Sequence, residues 1–167
     1  MKRFFAFLLL LTLILCSCQK KEDLLHYQKY PFEGEFEILQ NDGKFTLRIS
    51  GDAWNEEGER SLVAEFLEPE SLKGIKISRE NGKATFSLGG IEFEENGMSP
   101  ASLCSFARYF ELVASPVSFL KEKDVTNARL ISNKGEDIRI SFSRDGLPIN
   151  IVGEKITINV LSYKIKN

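Results

Sequence analysis

From Phe32 onward the chain alternates between apolar and polar side chains. Phe32, Gly34, Phe36 and Ile38 fall on one face of an extended segment, and Glu33, Glu35 and Glu37 on the other. That period of two predicts a strand with one dry and one wet face. Asn41-Asp42-Gly43 supplies the residues of a tight hairpin turn. The return strand sets Phe45, Leu47 and Ile49 against Thr46, Arg48 and Ser50, so the exposed Glu and Arg rows can pair across the ladder. The same syntax recurs in Leu62, Ala64 and Phe66, and in Ile75 and Ile77. It returns after Glu80-Asn81-Gly82 in Ala84, Phe86 and Leu88, and after the Gly89-Gly90 bend in Ile91 and Phe93. Further along come Ala128–Ile131, the row Ile138, Ile140 and Phe142, then Leu147–Ile151 beyond Asp145-Gly146, and a last strand from Ile156 to Ile165. About nine strands result. Pro148 places its short strand at an edge or beside a turn.

One segment breaks the series. Ser99 and Pro100 suit the start of a helix, and Leu103, Phe106, Phe110 and Val113 recur at helical spacing. Ser115-Pro116 reads as its end, with Val117–Lys123 as one further turn. A single helix with a broad apolar stripe needs the dry face of the sheet to cover it. The expected fold class is therefore α+β: a curved antiparallel sheet, curled into an open half-barrel by its twist, covered by one main helix.

The N-terminus has a different grammar. Lys2 and Arg3 precede a run from Phe4 to Leu15 in which only Thr12 is polar. This is the form of a secretory signal, too short for the roughly 20 apolar residues of a membrane-spanning helix. Leu15-Cys16-Ser17-Cys18 then resembles the lipobox of bacterial lipoproteins, with an aliphatic residue at −3, a small one at −1 and Cys at +1. The resemblance implies cleavage before Cys18 and diacylglyceryl modification of its thiol, two chains being enough for stable anchoring. An ordinary cleaved signal would leave Cys16 and Cys18 incidental. The expected organisation is residues 1–17 as lipoprotein signal peptide, 18–30 as lipidated Cys and tether, and 31–167 as the folded domain. The location that follows is the extracytoplasmic face of the cell membrane.

Composition narrows the function. The 167 residues are 43% hydrophobic and 28% charged, as in one globular domain. Cleavage would remove Lys2 and Arg3 and leave 20 basic against 24 acidic residues, a poor match for nucleic acid. With Cys18 lipidated, Cys104 has no internal partner for a disulfide. The one His, His26, lies in the tether, so neither a Ser-His-Asp nor a Cys-His site is expected. One His and one free Cys also fall short of a zinc set, and no phosphate-binding Gly-rich loop occurs. The acidic stretches Glu56-Glu57-Gly58-Glu59 and Glu92 to Glu95 read as solvated surface rather than a glycosidase carboxylate pair. No enzyme, cofactor or metal is expected.

The lipobox, the meander, the Phe66–Ile75 link, the central helix and the Asp145-Gly146-Leu147-Pro148-Ile149 turn before a long last strand are similar in order to the LolA/LolB/LppX-like lipoprotein superfamily. The likeness is in particular to its small members in spore-forming Firmicutes, some linked to germination. The resemblance implies a half-barrel that binds acyl chains or lipoproteins, or serves as a protein-binding scaffold, with no catalytic residues. Ten Phe follow Cys18 in the chain. Phe36, Phe45, Phe66, Phe86, Phe106 and Phe110 either line an apolar pocket for an acyl chain or fill the core. Trp54 either anchors a partner or caps the sheet rim. The partners expected are the membrane through the lipid anchor, an envelope protein and, as the alternative, a lipid ligand.

Overall fold

In the computed structural model the described residues are 25–40, 43–54, 60–80, 83–94, 105–112 and 114–166. They form eleven antiparallel strands: β1 (Phe32–Gln40), β2 (Gly43–Gly51), β3 (Leu62–Glu68), β4 (Lys76–Glu80), β5 (Lys83–Leu88), β6 (Ile91–Glu94), β7 (Ala114–Glu122), β8 (Val125–Ser132), β9 (Asp137–Phe142), β10 (Pro148–Val152) and β11 (Ile156–Ile165). Their order across one sheet is β6-β5-β4-β3-β2-β1-β11-β10-β9-β8-β7. Each half is a meander, and β1 pairs with β11 to join the halves. The sheet is therefore interrupted between β6 and β7, strands consecutive in the chain and farthest apart in the sheet.

The expected main helix is absent from the described residues, and this corrects the fold class: those residues form an open curved antiparallel sheet with two short 3-10 helices. Residues 95–104 and 113 lie outside the described set. Ser105–Tyr109 is a short 3-10 helix. The apolar rows there run at intervals of three, Phe106, Tyr109 and Leu112 beside Ala107 and Phe110, all buried. Three residues per turn is the 3-10 period, and large aromatics are poor α-helix formers. The expected helix end and extra turn are strand β7. Pro116 is tolerated there because β7 is an edge strand, and a bulge lies between Pro116 and Ser118. Side chains along β7 are mostly exposed on both faces, so no alternation marked it. Pro148 sits beside a turn, at a bulge in β10, which is not an edge strand.

The concave face holds the core. Phe32, Phe36 and Ile38 of β1 are at most 1% exposed, as are Leu47, Ile49, Phe66, Leu130, Ile138, Ile140, Ile151 and Ile158. Burying each such side chain contributes about 1.5–3 kcal/mol. On the convex face Arg48 meets Glu35 at 3.2 Å and Glu65 at 3.8 Å, the cross-strand pairing that the alternation implies.

Residues 25–30, read from the sequence as part of the tether, belong to the fold. His26–Lys29 is a 3-10 helix whose Tyr27 and Gln28 are 3% exposed.

Candidate functional site

Three kinds of feature meet at the concave face: a buried cation that fixes the covering segments, a groove beside the first 3-10 helix, and packed aromatic rings.

The cation is Arg60, just before β3 and 5% exposed. Its Nε and Nη2 donate to the Asp52 carbonyl at 2.9 and 2.6 Å, and Nη2 also to that of Tyr30 at 3.0 Å. Nη1 donates to the carbonyls of Gln28 at 3.0 Å and Phe110 at 3.3 Å. The guanidinium lies 4.9 Å from the Phe32 ring centre and 5.8 Å from that of Trp54. Burial pushes its pKa down, yet a guanidinium keeps its proton. One side chain thus ties the first 3-10 helix, the end of β2 and the second 3-10 helix together. Sequence reasoning missed it, because a lone Arg after an acidic loop carries no motif.

The groove has a volume of about 860 Å³. Tyr27, Phe142, Leu147 and Ile165 give it apolar walls, and Lys121, Lys123, Asp124 and Arg144 give it charge. Lys123, in the β7–β8 turn, has a φ of +44°, the left-handed region a side chain rarely adopts. Burial pushes the Tyr27 hydroxyl up to about 12. His26, at the groove wall, contacts the Tyr30 hydroxyl at 3.1 Å through Nε2.

The six candidate Phe residues are close neighbours only in part. Phe36 and Phe110 meet edge to face at 4.8 Å, and Phe32 stacks on Phe110 at 5.6 Å. Phe45 and Phe66 meet edge to face at 5.9 Å, farther along the sheet. Phe36, Phe66, Phe106 and Phe110 are buried, while Phe45 and Phe86 are half-buried against the same cluster. Beside Phe106 a void of about 20 Å³ remains, room for about one water. Trp54 is half-buried under Arg60. Cys18 and Cys104 lie outside the described residues.

Tyr109 closes the far side of the core. It is fully buried, its hydroxyl donates to Glu136, and Arg108 Nη2 donates to that hydroxyl at 2.9 Å. Burial first, and then the Glu136 carboxylate, push its pKa up to about 12. The ring passes so close to Gly153 that a Cβ there would stand 2.7 Å from Cζ. Arg79 on β4 pairs with Glu111 at 2.5 Å, fastening the covering segment to the other arm of the sheet.

Exposed apolar side chains occur at both sheet edges. Leu88 and Ile91 are 51% and 62% exposed at the β5–β6 turn, and Val117, Phe119 and Leu120 are 56–59% exposed along β7. Among the described residues no three His, Cys, Asp or Glu side chains gather as a metal site would require.

A curled, interrupted antiparallel sheet filled from its concave side defines the class of fold: an open half-barrel. No protein-family model matches the chain, and no curated protein matches it by sequence. Solved structures do share the fold. An uncharacterised conserved protein from Thermus thermophilus aligns at TM-score 0.54 and 12% identity, over 90% of this chain and 88% of that one. MucB aligns at TM-score 0.53 and 13% identity over 90% of this chain, which spans 60% of MucB's length. The Pseudomonas aeruginosa MucA/MucB complex aligns at TM-score 0.50 and 13% identity, over 86% of this chain and 55% of that one. A LolA superfamily protein from Nitrosomonas europaea aligns more loosely, at TM-score 0.47 and 8% identity, over 87% of this chain and 93% of that one.

Proposed function

We propose that the protein is an envelope lipoprotein, cleaved before Cys18 and held by lipid on that thiol at the extracytoplasmic face of the membrane. In this reading it has no enzymatic activity and acts as a protein-interaction scaffold. The observation that carries the reading is the packing of the concave face. The Phe32, Phe36 and Phe110 rings pack on one another, and the void beside Phe106 is too small for an acyl chain. MucB, which shares the fold, forms a complex with MucA, and this supports a protein partner. Leu88 and Ile91, at the rim away from the N-terminal helix, form the surface we assign to that partner. The partner class we propose is a cell-wall or spore-cortex enzyme, in keeping with the resemblance to germination-linked lipoproteins.

One observation favours the alternative, a lipid or lipoprotein acyl-chain carrier. The groove along Tyr27, Phe142, Leu147 and Ile165 is roomy and partly apolar. Both readings are tested on protein extracted from its own membranes with mild detergent and measured by native mass spectrometry. A diacylglyceryl adduct on Cys18 with a protein partner, lost on Leu88→Asp/Ile91→Asp, is the expected result. A second, stoichiometric lipid with no protein partner overturns the scaffold in favour of the carrier. An unmodified Cys18 overturns the anchored state.

A further inference from the structure

We infer that the outer edge of β7 is a second membrane contact, lying on the bilayer beside the lipid anchor. The inference rests on the anchored reading above and adds the orientation of the domain.

The ladders put the relevant groups at one rim. Phe32 at the start of β1 pairs with Ile165 at the end of β11, and Phe142 pairs with both Pro148 and Thr126. The first 3-10 helix, the 143–147 turn and the β7–β8 turn therefore share that rim, and His26, Arg144 and Lys123 line one groove there. From Cys18 to Leu25 is seven peptide steps, at most about 25 Å of chain. A bilayer holding Cys18 is within reach of this rim, whereas the Leu88–Ile91 turn lies at the other end of the strands.

The edge itself has the right character. Phe119 pairs with Ala128, whose next partner is Ile140, so it stands on the concave face; Leu120 pairs with Asn127 and stands on the convex face. Apolar groups on both faces of an edge serve a medium that envelops the edge. Another strand would meet obstacles, since Pro116 lacks an N–H, a bulge follows it, and Lys121 is exposed. Lys121 and Lys123 are balanced locally by Glu122 and Asp124. The attraction is accordingly apolar and needs no anionic lipid. A contact too weak to recruit free protein suffices once the anchor supplies the bilayer at high effective concentration.

The test uses the full chain in its own membranes, with p-benzoylphenylalanine in place of Phe119 or, as control, of Val63 on the convex face of β3. Irradiation is expected to give a phospholipid adduct at position 119 and not at 63. In nanodiscs of phosphatidylcholine alone, carrying the extracted lipoprotein, β7 amides should exchange about tenfold more slowly than in detergent-free delipidated protein. That slowing should persist at high salt and vanish in Phe119→Ser/Leu120→Ser. A protein adduct at 119, equal lipid adducts at both positions, or no adduct would overturn the inference. A carbonate wash and the mass of the Cys18 peptide are read in the same sample. Anchored protein without the adduct refutes the β7 contact alone, whereas released, unmodified protein refutes the anchored reading.

Discussion

Replacing Arg60 by Ala removes five hydrogen bonds to four carbonyls, and the cost depends on what happens to those oxygens. Tyr30 and Asp52 are exposed residues, so water can take the place of the guanidinium at their carbonyls. Gln28 and Phe110 are 3% and 2% exposed, and their carbonyls would be left without the donor. A buried acceptor deprived of its partner costs about 1–3 kcal/mol. Relief from burying a cation offsets part of the sum, leaving a net loss of about 3 kcal/mol. For a domain of this size that is about 10 °C in Tm. Urea unfolding with amide exchange is the assay, and exchange should quicken in residues 26–30 and 105–110 while the β1–β2 ladder stays protected. Arg60→Lys, with three donors, should recover about half the loss. A change in Arg60→Ala below about 1 kcal/mol, or acceleration spread evenly over the sheet, would refute the view of Arg60 as the fastening of both covering segments.

Other expectations follow from the same core. Gly153→Ala places a methyl against the Tyr109 ring, which is pinned by Glu136 and Arg108, and should destabilise by about 1–3 kcal/mol in urea unfolding. Phe110→Ala opens a cavity between Phe32 and Phe36 and should cost about 3–5 kcal/mol by the same measurement. Tyr27 and Tyr109 keep their protons to about pH 12, against 10 in the unfolded chain, so between those values the folded state holds more protons than the unfolded one. Stability should be full below about pH 10 and fall between about pH 10 and 12, and Tyr27→Phe should flatten that fall in urea midpoints taken from about pH 8 to 12.

What the sequence disclosed and what it hid have a common cause. Strands with one dry face, such as β1, β2, β3 and β9, advertise themselves, because burial on one side imposes a period of two. β7 has no dry face, so its residues follow no period and Pro116 reads as a terminator. The segment around Phe106 packs against the core with all but one row, Ser105, Arg108 and Glu111; spacings of three and four overlap among its apolar residues, and tertiary burial rather than propensity decided between them. Tyr27 lies in a largely polar stretch, where Leu24, Leu25 and Tyr30 give it no regular period. Arg60 was illegible for another reason: its partners are backbone carbonyls, which every residue possesses. Of the candidate site, the Phe residues were visible as a set, but their division into separate ring clusters depends on sheet register. The groove is assembled from turns and termini distant in sequence.

The seam between β1 and β11 has a consequence in time. Phe32 opens the first strand and finds its neighbour Ile165 within the last strand. Until the ten residues of β11 have been made, β1 is an unprotected edge, and Phe32 and Phe36 lack the Tyr163 ring that later stacks on and abuts them. Such long-range closure makes folding slow and concerted, and leaves the half-made sheet prone to wrong pairings. A chain cut short by even one strand at its C-terminus therefore loses the closure that joins its two halves.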